Sequence, residues 1–182
     1  MGKLYLGTQE IGAAYSPTTP DAYMPLEVTG QGALRKPSTS FTWSVPSTAT
    51  SIDSYGLYYV FYGCAGLTSV DLSSITSISS RGLYYTFCDC TSLASVDLSS
   101  VASIGSSGLF NTFRGCTSLS TLRFPALTTT SFGTSTNQFN NMLSGCSGVT
   151  VHFPAAIQST IGSWSSVTSG FGGTNTTVLF DL

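Results

Sequence analysis

Apolar positions recur at a fixed interval through the middle of this 182-residue chain. Gly56, Gly82 and Gly108 open three segments that lie 26 residues apart and carry nearly the same order of side chains. The apolar positions in register are Leu57, Leu83 and Leu109; Phe61, Phe87 and Phe113; Cys64, Cys90 and Cys116; Leu67, Leu93 and Leu119; Val70, Val96 and Leu122; and Leu72, Leu98 and Phe124. A period of this length is typical of solenoids, in which each repeat packs against its neighbours.

Each repeat divides into two predicted elements. In "GLYYTFCDC", Leu83, Phe87 and Cys90 fall at i, i+4 and i+7, which predicts one face of a short helical turn. In "LASVDLSS", the alternation that ends the segment predicts a strand that buries one face. Stacked copies would therefore form a parallel sheet on one side and a row of short helical turns on the other.

The repeats define the predicted domain organisation. Residues 41–160 form the array, with cores at 56–81, 82–107, 108–138 and 139–160, and the last core is a degraded copy. Degenerate end copies are expected, because terminal repeats must cap an otherwise open core. Residues 1–40, which include a Pro-rich stretch, predict a separate arm or linker, and residues 161–182 predict a C-terminal cap region with a closing strand.

Composition excludes several functions. Charged residues make up 8% of the chain and its net charge is −2, so a nucleic-acid partner is not expected. Membrane insertion is not expected either, because no apolar stretch approaches the roughly 20 residues of a spanning helix. The N-terminal sequence does not fit a signal peptide. Cys64, Cys90, Cys116 and Cys146 share one repeat position, which favours packing over a disulfide framework.

The order F-x-x-C-x-x-L-x-x-V-x-L, followed by S-I-G, resembles the BspA-like leucine-rich repeats of bacterial surface proteins. "CTSLASVDLSSVASIG" at positions 90–105 carries the resemblance, which covers about residues 41–160. It implies an α/β repeat solenoid of the leucine-rich-repeat type. This is a right-handed coil with a short parallel β-sheet on one face, short helical turns on the other and degenerate end repeats as caps. The "GLYYTF" segment is longer than the compact turn common in that family, so the convex side is expected to be bulkier.

Two surfaces are candidates for ligand contact. Outward strand positions form two ladders, and the resemblance implies that this sheet face binds ligands: Ser69, Asp71, Ser95, Asp97, Thr121 and Arg123. The competing interpretation, which we favour, is a solvated hydroxyl-rich sheet with one Asp97–Arg123 pair. The second candidate is an aromatic row on the turn segments: Tyr58, Tyr59, Tyr84 and Tyr85. Such rings can stack on sugars or enter a partner's groove, but a structural ladder between repeats is the favoured interpretation.

No catalytic, metal or cofactor site is predicted. His152 is the single histidine and lacks a nucleophile and an acid beside it in the sequence. Cys88 and Cys90 are expected to point to opposite sides, and zinc requires four ligands. Aspartates such as Asp71 and Asp97 could supply paired carboxylates, but no pattern places them across a cleft.

The sequence therefore predicts a non-catalytic binding or adhesion module that contacts a protein or glycan through its repeat face, extracellular or at a cell surface. Residues 5–11, "YLGTQEI", are similar to short segments of phage tail-associated proteins. This second resemblance implies an alternative: a tail-associated receptor-binding component of a virion, with residues 1–40 as its docking arm. A homo-oligomer is compatible with both hypotheses.

Overall fold

The structure, a computed structural model, describes residues 40–132 and 136–182, together with the backbone of four short strands nearer the N-terminus. These strands form two antiparallel pairs: β1 (Tyr5–Leu6) with β2 (Gln9–Glu10), and β3 (Glu27–Val28) with β4 (Leu34–Arg35). Most of the predicted arm at residues 1–40 otherwise lies outside the described residues. Its role as a linker or docking arm stays a prediction.

Within the described residues, nine further strands form three parallel sheets. The first sheet contains β5 (Phe41–Ser44), β7 (Leu67–Asp71) and β9 (Ser95–Asp97). The second contains β6 (Ser51–Ile52), β8 (Ser77–Ile78) and β10 (Ser103–Ile104). The third contains β11 (Thr121–Arg123), β12 (Thr150–Phe153) and β13 (Thr177–Phe180). Because all these pairings are parallel and join successive repeats, the chain is a parallel-strand solenoid, and the predicted fold class is confirmed.

The strand register follows the repeat found in the sequence. Val70 pairs with Val96 across β7 and β9, and Ile78 lies between Ile52 and Ile104 in the second sheet. Side chains of one repeat position therefore stack directly on one another. They form a continuous buried cluster that runs from Trp43 to Phe171.

The segments predicted as short helical turns are instead runs of tight turns, at residues 54–63, 80–89 and 106–115. Their backbone N–H groups alternate between two partners: Tyr58 N–H donates to the Tyr55 carbonyl in its own repeat, whereas Tyr59 N–H donates to the Tyr84 carbonyl of the next repeat. A left-handed residue recurs every fourth position, with φ near 60° at Tyr55 (60°), Tyr59 (59°) and Gly63 (68°). The apolar residues predicted to face inward are buried, apart from the partly buried Leu57 of the first repeat, but hydrogen bonding between repeats replaces the helical pattern.

The C-terminal part closes the stack with short elements. A 3-10 turn (Ala155–Ile157), α1 (Gln158–Ile161), α2 (Ser165–Thr168) and a second 3-10 turn (Gly170–Gly172) precede β13. Strand β13 pairs with β12 and occupies the outer position of the third sheet. Within the described residues, none of the helices has the length and apolar character of a membrane span.

Candidate functional site

An open groove of about 980 Å³ crosses the outer face of the first sheet and reaches β11. All six residues predicted from the strand ladders line it: Ser69, Asp71, Ser95, Asp97, Thr121 and Arg123. Strand alternation explains this arrangement, because neighbours of an inward residue such as Val70 must point outward. The structure thus brings these six side chains together on one surface.

Two carboxylates occupy adjacent positions in the groove. Asp71 pairs with Asp97 in the register of β7 and β9, and both side chains are exposed. Each Oδ1 accepts a backbone N–H two residues further on, from Ser73 and Ser99 respectively, at 2.8 Å in both cases. Hydrogen bonding by Ser73, first through its side chain and then through its backbone N–H, holds the pKa of Asp71 below its usual value. Asp71 is therefore an anion at neutral pH despite the neighbouring carboxylate.

Arg123 stands beside these carboxylates without forming the predicted ion pair. The salt bridge expected between Asp97 and Arg123 is absent, although the structure describes both residues. Strand order explains the difference, because β9 is hydrogen-bonded to β7 whereas β11 is hydrogen-bonded to β12. The hydrogen-bonded ladder is therefore interrupted between β9 and β11. Although Asp97 and Arg123 occupy the same position in successive repeats, their charged groups are not in contact.

The third sheet continues the polar face with different chemistry. Its two outward rows are Thr121, Thr150 and Thr177, and Arg123, His152 and Leu179. The Nδ1 atom of His152 lies 2.9 Å from Oδ1 of Asp181, just beyond β13. Sequence analysis missed this partner because 29 residues separate the two, and only the β12–β13 pairing brings them together. The contact ties the outer strand to its neighbour.

The four candidate tyrosines lie on the turn segments rather than in the groove. Tyr58 stacks on Tyr84 with ring centroids 5.3 Å apart, and Tyr84 stacks on Phe110 at 4.8 Å. Tyr59 and Tyr85 form a parallel stack at 4.8 Å. Partial burial raises the pKa of Tyr59 to about 12, so its phenol is neutral at physiological pH. Since each ring covers a face of its neighbour, this geometry favours a structural ladder over a sugar-stacking surface.

A row of cysteines links consecutive repeats. The thiols of Cys90, Cys116 and Cys146 donate to the carbonyls of Phe61, Phe87 and Phe113 at 3.0, 3.1 and 3.0 Å. These donors therefore add a bond between repeats at a position that sequence analysis assigned to apolar packing alone.

Cys88 lies outside the core cluster that contains Cys90, in keeping with the expected opposite directions of the two side chains, but it is not exposed. It is buried, like the four cysteines of the repeat position, and burial raises the pKa of its thiol to about 12. It directly precedes a left-handed residue, Asp89, within a turn segment, so helical geometry does not fix its direction. In the ranges 40–132 and 136–182, no group of three or more His, Cys, Asp or Glu side chains is placed to hold a metal ion.

Parallel coils stacked in register, with a repeated polar face, define this chain as a solenoid repeat protein. The family model described as the BspA type leucine rich repeat region matches residues 37–163 with 6 copies. The chain therefore belongs to the BspA-type leucine-rich repeat family, as its sequence pattern predicted. Comparisons with curated proteins and with solved structures gave no match.

Family membership supports a general function. Repeat proteins of this type are generally non-enzymatic, typically surface-associated, and used as modules for protein binding or adhesion. The particular ligand and the surface that contacts it depend on residues of this chain.

Proposed function

We propose that this chain is a non-catalytic adhesion module that contacts a protein or glycan through its groove, in the extracellular space or at a cell surface. The observation that carries the proposal is the arrangement of six polar side chains in one open groove. Asp71, Asp97 and Arg123 there lack a charge partner within the groove. Exposed charges held at fixed positions are suited to recognition, because a partner can replace water around them without breaking existing ion pairs.

The repeat geometry supports contacts that add together. Neighbouring strands in a sheet lie about 4.8 Å apart, so equivalent groups such as Ser69 and Ser95 are presented at that spacing. Each exposed polar contact contributes little on its own, on the order of 1 kcal/mol or less. A ligand that extends across several strands gains binding free energy from its contacts with each strand, and a shorter ligand binds correspondingly less tightly.

The proposal is tested by selecting ligands and mapping them to the groove. A random peptide library and a glycan array are screened with the wild-type chain, and each ligand is then tested against a chain carrying Asp97→Ser. The matched control is Asp53→Ser, which removes an exposed carboxylate outside the groove. We expect ligands that bind the wild type and the control but bind Asp97→Ser at least about threefold more weakly, the size of one charged contact.

If Asp97→Ser and Asp53→Ser lose ligand affinity equally, or both keep it, the proposal is contradicted. The ligand would then bind elsewhere or recognise only net charge. The same holds if neither library yields a ligand that depends on the groove.

A further inference from the structure

We infer that the groove takes an extended peptide segment carrying a basic side chain and, two positions along, an acidic side chain. This inference rests on the proposed function and assigns its ligand class. It is based on the juxtaposition of two carboxylates with a guanidinium group in one groove. Asp71 and Asp97 lie on β7 and β9, and Arg123 lies on β11, the strand that follows β9 along this face.

The order of charges along the groove is acid, acid, base. Asp71 and Asp97 occupy equivalent positions of paired strands, so their side chains project to the same side. One ammonium or guanidinium group placed between them would contact both carboxylates. Arg123 presents a planar fork of donors that matches a carboxylate on the ligand.

The charges are available to a ligand. The Oδ1 atoms of Asp71 and Asp97 accept backbone N–H groups from Ser73 and Ser99, contacts that do not neutralise the carboxylates. Arg123 is exposed and is not paired with Asp97, since the ladder between their strands is interrupted. This interruption, which sequence analysis did not anticipate, leaves the groove with separate positive and negative ends.

The spacing fits an extended chain that runs across the strands. Strand β11 packs beside β9 although the hydrogen-bonded ladder between them is interrupted. A spacing close to the usual value of about 4.8 Å places the Arg123 position about 7 Å from the midpoint between the two carboxylates. In an extended peptide, side chains at i and i+2 point the same way and are also about 7 Å apart. A basic residue at i and an acidic residue at i+2 therefore reach the two ends of the groove at once when the peptide runs from the carboxylates toward Arg123.

A second row of groups is placed to receive the peptide backbone. The hydroxyls of Ser69, Ser95 and Thr121 line the same groove, two residues before the charged row on each strand. A hydroxyl both donates and accepts, so it can bond to either the N–H or the C=O of a crossing peptide.

The groove is poorly suited to a sugar ring. Sugar recognition commonly uses an open aromatic face. Trp43 is the aromatic residue among those lining the groove in the described part of the chain, and it is only 7% exposed. The tyrosine stacks lie on the turn segments with ring faces covered by one another. We therefore favour a peptide over a glycan for this groove.

The test uses short synthetic peptides as probes. Acetyl-Thr-Lys-Thr-Glu-Thr-amide is titrated into the nitrogen-15-labelled chain, and backbone amide shifts are followed by NMR. We expect saturable shifts concentrated at Ser69, Ser95 and Thr121. Replacing either the Lys or the Glu of the peptide by Ser should weaken binding about two- to fivefold, as for a solvent-exposed ion pair.

A charge reversal gives the decisive comparison. Arg123→Glu should switch the preference from the Lys-x-Glu peptide to a Lys-x-Lys peptide. The matched control is Arg114→Glu, the same change at an exposed residue of a turn segment, which should leave the preference unchanged. The amide spectrum of each variant confirms that it is folded.

The outcomes separate this inference from the proposed function. Groove shifts with a glycan or with uncharged peptides, but none with the Lys-x-Glu peptide, would overturn the inference and leave the proposed function standing. The inference would also be overturned if Arg123→Glu left the affinity for the Lys-x-Glu peptide unchanged. If no probe or selected ligand perturbs the groove amides, both fail.

Discussion

The buried stack of Phe61, Phe87 and Phe113 allows a direct test of how the repeats are held together. Phe87 is fully buried, and its ring centroid lies 5.6 Å from that of Phe61 and 5.8 Å from that of Phe113. Substitution Phe87→Ala removes the central ring and leaves a cavity between two others. Removal of a buried phenylalanine costs about 3–5 kcal/mol, and the higher values belong to sites that cannot collapse.

We expect Phe87→Ala to lie near the upper end of this range, at about 4–5 kcal/mol. Backbone hydrogen bonds on both sides of the site fix the spacing of the flanking repeats and so resist collapse of the cavity, since Phe61 N–H donates to the Thr86 carbonyl and Phe87 N–H to the Thr112 carbonyl. The matched control is Phe110→Ala. That ring is half-buried and stacks on Tyr84 at 4.8 Å, so its loss should reduce the free energy of unfolding by about 1 kcal/mol.

The assay is urea denaturation followed by circular dichroism, with the free energy of unfolding taken by linear extrapolation. If Phe87→Ala does not fold, Phe87→Leu keeps most of the volume and should cost about 1.5 kcal/mol. A Phe87→Ala variant no less stable than Phe110→Ala would refute the argument, because the stack would then not be a major source of stability.

Two further predictions concern ionisation and thiol access. The pKa of Tyr59 is raised from 10.0 to about 12 by partial burial, so the stabilisation from its neutral phenol is complete below pH 10 and is lost as pH rises through about 12. Tyr59→Phe should therefore lose less stability than the wild type over this window, measured by urea midpoints at increasing pH; equal loss would contradict the burial of this phenol. All five thiols should react slowly with a thiol reagent in the folded chain and rapidly in urea, because all are buried and burial raises the pKa of the Cys88 thiol to about 12. Fast labelling of Cys88 alone would contradict the burial of this thiol.

The strands and the core could be predicted from the sequence because each depends on a pattern of short range. Alternation around Val70 and Val96 fixes which side chains face inward, and the interval of 26 residues fixes which of them stack. The six groove residues follow from the same rule, since outward positions of stacked strands must share a face. The family could also be predicted from the sequence, because the family model describes the repeat itself.

The turn segments could not be predicted in the same way. Apolar residues at i, i+4 and i+7 are compatible with a helix. They are equally compatible with a series of tight turns in which every fourth residue is left-handed. The second form is observed because its alternate N–H groups, such as that of Tyr59, bond to the next repeat. These bonds maintain left-handed backbone at Tyr55 and Tyr59, a conformation that non-glycine residues otherwise adopt rarely.

The sequence alone determined that this chain stacks as a solenoid with a polar sheet face, because the repeat constrains every copy equally. Only the tertiary structure decided how individual copies depart from the repeat. It separates Asp97 from Arg123 by interrupting the ladder, brings Asp181 to His152 and buries Cys88. Each of these depends on which neighbouring strand or turn completes the hydrogen bonds at one place, and a pattern averaged over repeats does not contain that information.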